Sequence, residues 1–375
     1  MFVKKKFKIL IVGSFLSQEK NIYGGIARSC QTMMQSSFPD RFIISFVDST
    51  QISNPPPGII IRSAMALRRL LVFIGKLVFH RPDCVLLFTS VGASFIEKCV
   101  MAWISRLFGC PALIFPRGGE LINQAKKSGI RRAAFRMLLK GSRVFLAQGP
   151  KWLDFAVNDM CFEPSRVHLI SNWTATQRHL SIGSNREFQV CTQRRPRVLF
   201  VGWLEEFKGV FELLKVCQKL TDRGIQFELT LAGRGHAELE AKRFVKRNNL
   251  EQVVTFTGWA DSVVLEQLLT SHDIFILPSW AEGMPNSMIE AMAAGLAVVV
   301  TSVGMVTDFL CDEEHALIIP PRDIELLENA VQRVIIDDVL RKNLARKGHQ
   351  LARKQFSVEP AMEKLGNIIE ATIGQ

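Results

Sequence analysis

The chain has 375 residues, 48% apolar and 22% charged, ordinary globular usage that excludes a disordered or collagen-like polypeptide. At about 100–200 residues per domain, this length makes two domains. A net charge of +12 is unevenly placed: residues 1–185 hold 25 basic and 9 acidic side chains, residues 186–375 hold 22 and 26. Such asymmetry points the first half at a polyanionic surface, either nucleic acid or an anionic membrane. The eight cysteines, at 30, 84, 99, 110, 161, 191, 217 and 311, form no CxxC pair. They read as free thiols in a reducing compartment, not as a zinc site or a disulfide framework.

In chain order, the basic start MFVKKK is followed by the apolar run 9–12. The run is too short for a signal peptide and reads as a first buried strand. Further strands are predicted at 41–47, 84–88, 112–115 and 144–147. Helices are predicted at 25–34, 95–108 and 131–140. The apolar stretch 64–79 is broken by Arg68, Arg69 and Lys76, so it reads as a surface or core helix and not a span. Residues 175–195 are polar, without apolar periodicity, and end before Pro196; they read as a linker. The second half predicts strands at 197–200, 228–232, 253–257, 274–277, 297–301 and 316–319. Helices at 210–221, 236–248, 262–269, 286–294 and 323–337 lie between them, and a terminal helix follows at 361–373. Strand–helix alternation twice over predicts an α/β chain of two doubly wound domains. The domains are expected at 1–180 and 190–355, with 356–375 packing back toward the first. Ligands of such sheets bind beyond the carboxyl ends of the strands, so the loops there carry the chemistry.

The densest loop is PSWAEGMPNSMIEAMAAG, residues 278–295. Gly283 permits close backbone approach to a ligand. The helix opening after Pro285 offers unpaired N–H groups to a phosphate. Glu282 and Glu290 suit sugar and ribose hydroxyls, or are ordinary helix-end glutamates. Lys208 follows a strand and can reach a pyrophosphate, although alone it would equally be a solvated lysine. Gly233 and Arg234 lie in AGRGH, again directly after a strand. In TGWAD, Trp259 lines a base pocket or belongs to the core. None of the seven histidines sits in an HExxH pattern or a metal-ligand spacing.

Together, VLFVGWLEEFKG, LTLAGRGH, VTFTGWADS, HDIFILPSWAEGMPNSMIEAMAAGLAVVVTSVGMVTD and ALIIPPRD resemble the donor-binding half of glycosyltransferase family 4, bacterial polysaccharide and lipopolysaccharide type. The resemblance implies a GT-B fold, two facing Rossmann-like domains with an interdomain cleft. It implies transfer of a hexosyl group, with retention, from a nucleoside diphosphate sugar to a hydroxyl of a lipid-linked glycan in cell-surface polysaccharide synthesis. It places Glu282 on the donor sugar, the backbone of Gly283, Met284, Pro285 and Asn286 on sugar and phosphate, Glu290 on ribose and Lys208 on the pyrophosphate. The base falls near Gly258 and Trp259. Trp203 stands after Gly202 where most members have an arginine, and Arg234 is the candidate to compensate.

In the first half, NIYGGIARS resembles the family's glycine loop, with Gly24 and Gly25 at the donor phosphate. FPRGGEL offers Arg117 and Glu120 as acceptor or phosphate contacts, Glu120 being equally a first-turn carboxylate that complements the helix dipole. The absence of an Asp-x-Asp pair after a strand predicts a metal-independent enzyme without a cofactor. Rival readings are a nucleotide-sugar epimerase of the same fold and a non-catalytic sugar-nucleotide-binding subunit. Helix-turn-helix, RNP and zinc patterns are missing from the sequence, so nucleic acid is not expected as a partner. Arg132, Arg136, Lys140 and Arg143 follow helical spacing, with Lys126, Lys127 and Arg131 just before. They predict a basic face toward an anionic membrane, or a solvated face. The expected location is cytoplasmic, peripheral at the inner face of the plasma membrane.

Overall fold

The computed structural model describes residues 6–15, 25–50, 58–186 and 194–374. The chain forms two compact units, Met1–Thr174 with Val358–Gln375, and Ala175–Ser357.

The first unit is built on six strands: β1 (Lys8–Gly13), β2 (Ile43–Asp48), β3 (Cys84–Thr89), β4 (Ala112–Pro116), β5 (Val144–Ala147) and β6 (Val167–Leu169). They form one parallel sheet in the order β2-β1-β3-β4-β5-β6. This is the flavodoxin-like order with one strand added, and the order reverses between β1 and β3. β3 and β4 are buried at every residue, because helices cover both faces of a parallel sheet. Side chains alternate between those faces. Ile9, Ile11, Leu86, Phe88, Leu113, Phe115 and Leu146 meet Cys30 and Met33 of the helix Gly25–Met34 and Met362, Leu365 and Ile369 of the final helix Val358–Ile373. Arg41 fixes that last helix through Glu370 at 2.8 Å. Right-handed crossovers from β2 through β5 place the helices Ile59–His80, Ala93–Leu107 and Gly129–Leu139 on the opposite face.

The second unit has β7 (Arg197–Val201), β8 (Glu228–Ala232), β9 (Val254–Gly258), β10 (Ile274–Leu277), β11 (Ala297–Thr301) and β12 (Leu317–Ile319). Their parallel order, β12-β11-β10-β7-β8-β9, is that of the Rossmann fold, reversing between β7 and β10. β10 and β11 are buried throughout and apolar except for Thr301 at the end of β11.

Several sequence expectations are corrected. Part of the expected linker is a helix, Gln177–Asn185, packed in the second unit with Leu180 buried. Its start is set by Thr176, whose hydroxyl accepts from the His179 amide, a cap that a search for apolar periodicity passes over. β6 is a three-residue strand with His168 in its middle, so it presents no continuous apolar run. The helix predicted over 131–140 runs Gly129–Leu139, and Arg143 lies beyond it, its amide donating to Ala112 at 2.8 Å. The apolar stretch 64–79 belongs to a longer helix, Ile59–His80, in which only Phe73 and Leu77 are buried.

His272 is buried between two partners: Nδ1 faces the Leu268 carbonyl at 2.8 Å and Nε2 the Thr230 hydroxyl at 2.8 Å. Burial lowers its pKa from the ordinary 6.5. The unfolded chain therefore binds a proton that the native one rejects, so this contribution is complete above pH 6.5 and is lost as pH falls below it. The melting temperature is expected to drop between about pH 7 and pH 5, and less steeply in H272N; equal slopes would refute this account of His272.

Candidate active site

The carboxyl ends of β7, β8, β9, β10 and β11 gather the second unit's glycine loops, and the packing there is tight. A Cβ on Gly233 would lie 1.8 Å from the Gly202 carbonyl oxygen, and one on Gly209 would lie 2.1 Å from that of Pro278. Gly209 has φ +73°, a conformation that L side chains rarely adopt. Backbone bonds from Gly202 to Ala232, from Gly233 to Gly258 and from Leu204 to Arg234 zip the first three loops together.

This crowding places Lys208 beside the end of β10. Its Nζ donates to Glu282 Oε1 at 2.5 Å, with both side chains largely buried. The Ser279 hydroxyl donates to the same oxygen at 2.8 Å. Ser279 is held in turn by its carbonyl, which accepts from the Thr301 hydroxyl at 2.5 Å. Since both donors use Oε1, Oε2 carries neither. A ligand hydroxyl can donate to Oε2 while Lys208 faces an anion. The pair straddles β7 and β10, the point where the strand order reverses and where such sheets bind ligands.

Around this pair, Gly283 meets the loop after β11: its carbonyl accepts from the Met305 amide at 2.9 Å. Gly304, at φ +58°, has room for no Cβ against Glu282 and Gly283. Pro285 caps the helix Asn286–Ala293, and Met284 is buried before it. Glu290 lies inside that helix, 4% exposed. At the other edge, Trp203 and Trp259 pack with ring centroids 5.5 Å apart at 49°. Arg234, exposed, has its Nε 3.5 Å from where a Cβ on Gly258 would be. Ser279, Thr301 and Glu205, which accepts from the backbone amide of His236, were not singled out in the sequence. Ser279 and Thr301 carry a hydroxyl at or near a strand's end, and Ser and Thr are too common there to stand out; Glu205 is an ordinary loop carboxylate in sequence.

In the first unit, Arg117 follows β4 with its guanidinium centred 5.0 Å from both the Phe115 and the Trp173 rings. Its Nη2 donates to Ser29 at 2.5 Å, and Trp173 donates to the Ser29 carbonyl at 2.9 Å. Burial lowers the arginine's pKa to about 10, so the cation persists at neutral pH. Its buried Nη1 has no hydrogen-bond partner among the described residues. Glu120 is the exposed first residue of the helix Glu120–Lys126 and accepts from Asn123 at 3.3 Å. The structure thus gives it a first-turn position, with Asn123 and not Arg117 as its partner among the described residues. Gly25 opens the helix Gly25–Met34; Gly24 lies outside the described residues.

The basic cluster does not form one outward face. Lys126 and Arg132 pair with Asp159 at 2.9 and 3.7 Å, and Arg136 donates to the Asp159 carbonyl. Lys127, Arg131, Lys140 and Arg143 remain exposed. Cys311, Glu314 and His315 also bring three potential metal ligands within 4.8 Å of one another, at a spacing the sequence reading passed over. However, His315 Nδ1 accepts from the Cys311 amide and Glu314 pairs with Lys347.

A chain of two parallel, doubly wound units, one with a cation–carboxylate pair at its switch point, has the fold of the GT-B glycosyltransferases. Residues 183–351 match the family model for glycosyl transferases group 1. An α-D-kanosaminyltransferase from Streptomyces kanamyceticus is 26% identical over 46% of this chain and 45% of its own length. The lipopolysaccharide core biosynthesis glycosyltransferase LpsE of Rhizobium meliloti is 28% identical over 52% and 54%. The chain thus spans about half the length of the curated relatives it matches. In fold, it is similar over 98% of its length to all of a sucrose-phosphate synthase from Thermosynechococcus elongatus, with TM-score 0.74 and 17% identity. It also resembles Anabaena HepE in complex with UDP and glucose, over 97% of this chain and all of that one, with TM-score 0.69 and 16% identity.

Gly209→Ala is expected to lower the melting temperature clearly more than Gly224→Ala. Gly224 has φ +75° but open space around it, so it bears only the strain of about 1–3 kcal/mol. Equal shifts would mean that the approach of Gly209 to Pro278 does not hold Lys208 in place.

Proposed function

We propose that the protein transfers a hexosyl group from a nucleoside diphosphate sugar to a hydroxyl of a glycan acceptor, lipid-linked, in cell-surface polysaccharide synthesis. The observation that carries this is the Lys208–Glu282 pair at the β7/β10 reversal. The match to glycosyl transferases group 1 over the same unit supports it.

In this reading Lys208 faces the pyrophosphate, and the N-terminus of Asn286–Ala293 adds backbone donors and a positive dipole end. Glu282 Oε2 accepts from a sugar hydroxyl, and Glu290 binds the ribose. The Trp203–Trp259 pair offers aromatic surface to the base. Trp203 therefore supplies stacking where the family has a charge, which leaves the charge to Lys208 and Arg234. The bond from the anomeric carbon to the diphosphate oxygen breaks, and the acceptor oxygen bonds on the same face. The acceptor's proton passes to the departing diphosphate, so configuration is retained and no protein nucleophile is needed. The main work is placement and stabilisation of the leaving group's charge. With Lys208 in that role, turnover is expected to be unchanged by chelators.

The test is a thermal-shift screen against UDP, GDP and ADP sugars, followed by transfer assays. A ligand at a hundred times its Kd adds about 2.7 kcal/mol, or several degrees at roughly 2–4 °C per kcal/mol for a domain of this size. One base is expected to stand out. Lys208→Ala should lower transfer by about a hundredfold or more, with partial recovery in Lys208→Arg. Glu290→Ala should reduce the thermal shift. No shift with any nucleotide, or unchanged transfer in Lys208→Ala, would overturn the assignment.

A further inference from the structure

The helix Ile59–His80 is an anomaly for a water-soluble surface. Ile60 is 82% exposed, Leu67 59%, Leu71 62% and Phe79 84%. Ile60, the exposed Ala64, Leu67 and Leu71 follow i, i+4, i+7, i+11 spacing, one stripe of a helix, which Val78 continues; the exposed Val72 and Phe79 widen it to one side. The opposite stripe, Phe73 and Leu77, is the buried one. The helix is therefore apolar on its outer side as well as its inner side.

It is also held firmly in that orientation. Arg69 donates to Glu97 Oε1 at 2.7 Å, and the buried Lys98 pairs with Glu97 Oε2 at 2.8 Å. This triad ties the helix to its neighbour Ala93–Leu107, which carries its own exposed stripe of Ile96, Val100 and Leu107. Both helices lie on the same face of the first sheet.

Charge selects the occupant. The helix contains Arg62, Arg68, Arg69 and Lys76 and no acidic residue. Its unit holds 25 Lys+Arg against 12 Asp+Glu. A second copy would bring the same positive charge to the contact, whereas an anionic lipid surface complements it. No helix among the described residues is long and apolar enough to cross a membrane. A helix apolar on the outside and flanked by arginines lies in the plane of the interface.

We propose that the outer stripe of Ile59–His80, continued by that of Ala93–Leu107, docks the first unit on an anionic bilayer. This surface stands independently of the donor assignment. It also moves the membrane contact from the basic cluster at 126–143, part of which turns to Asp159, to a neighbouring element.

Co-sedimentation of the full chain with phosphatidylcholine vesicles, with and without phosphatidylglycerol, tests it. Binding is expected with the anionic vesicles and should weaken as salt is raised. The double variant L67E/L71E should bind at least about tenfold more weakly, with an unchanged melting temperature because both positions are exposed. R62Q/R68Q should lose the preference for anionic lipid. The proposal is overturned if the wild-type chain ignores phosphatidylglycerol, or if L67E/L71E binds like the wild type. It is also overturned if the chain self-associates in solution and L67E/L71E abolishes that association instead.

Discussion

The functional account depends on how closely the backbone is packed where β7 and β10 end. Gly209 has no side chain, so the turn after β7 can lie against the Pro278 carbonyl. That contact sets Lys208 within 2.5 Å of Glu282. A largely buried ion pair is costly to assemble, because both groups leave water. Here Ser279, whose carbonyl accepts from Thr301, offsets part of that cost by donating to the carboxylate. The pair remains poised: one oxygen is committed to donors from the protein, and the ammonium lies where an anion can replace part of its attraction to Glu282. Pre-organised charge of this kind stabilises a leaving group without reorganisation at the moment of reaction.

The two units solve different problems with related topologies. The second has the Rossmann order, a near-neutral composition and a crowded polar rim at its switch point. The first has the flavodoxin-like order and carries the molecule's positive charge. One of its cations, Arg117, sits between Phe115 and Trp173 beyond β4, at the carboxyl edge of its own sheet. The charge asymmetry evident in the composition therefore has two structural expressions: a walled-in guanidinium, and a helix whose arginines flank exposed leucines.

Buried parallel strands were legible in the sequence because they are continuous apolar runs. Eleven of the twelve strands among the described residues were anticipated; β6 was not, because His168 breaks its apolar run, whereas the equally short β12 is apolar throughout. The helix Gln177–Asn185 was missed because its start is signalled by a capping threonine and not by apolar spacing. The loop residues at the carboxyl ends of β7 to β11 could be named because they lie in local motifs. Their grouping could not, since the approach of Gly233 to Gly202 and of Gly304 to Glu282 is a tertiary fact. For the same reason the pairing of Arg132 and Arg136 with Asp159 is not legible in the basic stripe at 132–143. Helical spacing specifies a face, but it does not say that Asp159 waits on the inner side. Conversely, the apolar run at 64–79 could not be assigned to core or surface until burial showed which residues had neighbours.

The most direct test of the central claim is amide hydrogen exchange, with and without the nucleoside diphosphate that raises the melting temperature most. The account predicts new protection concentrated in residues 202–209 and 278–286, with lesser protection near 258–259 and little in the first unit's sheet. Protection confined to other segments, or spread evenly over the second unit, would contradict a donor site at the carboxyl ends of β7 and β10.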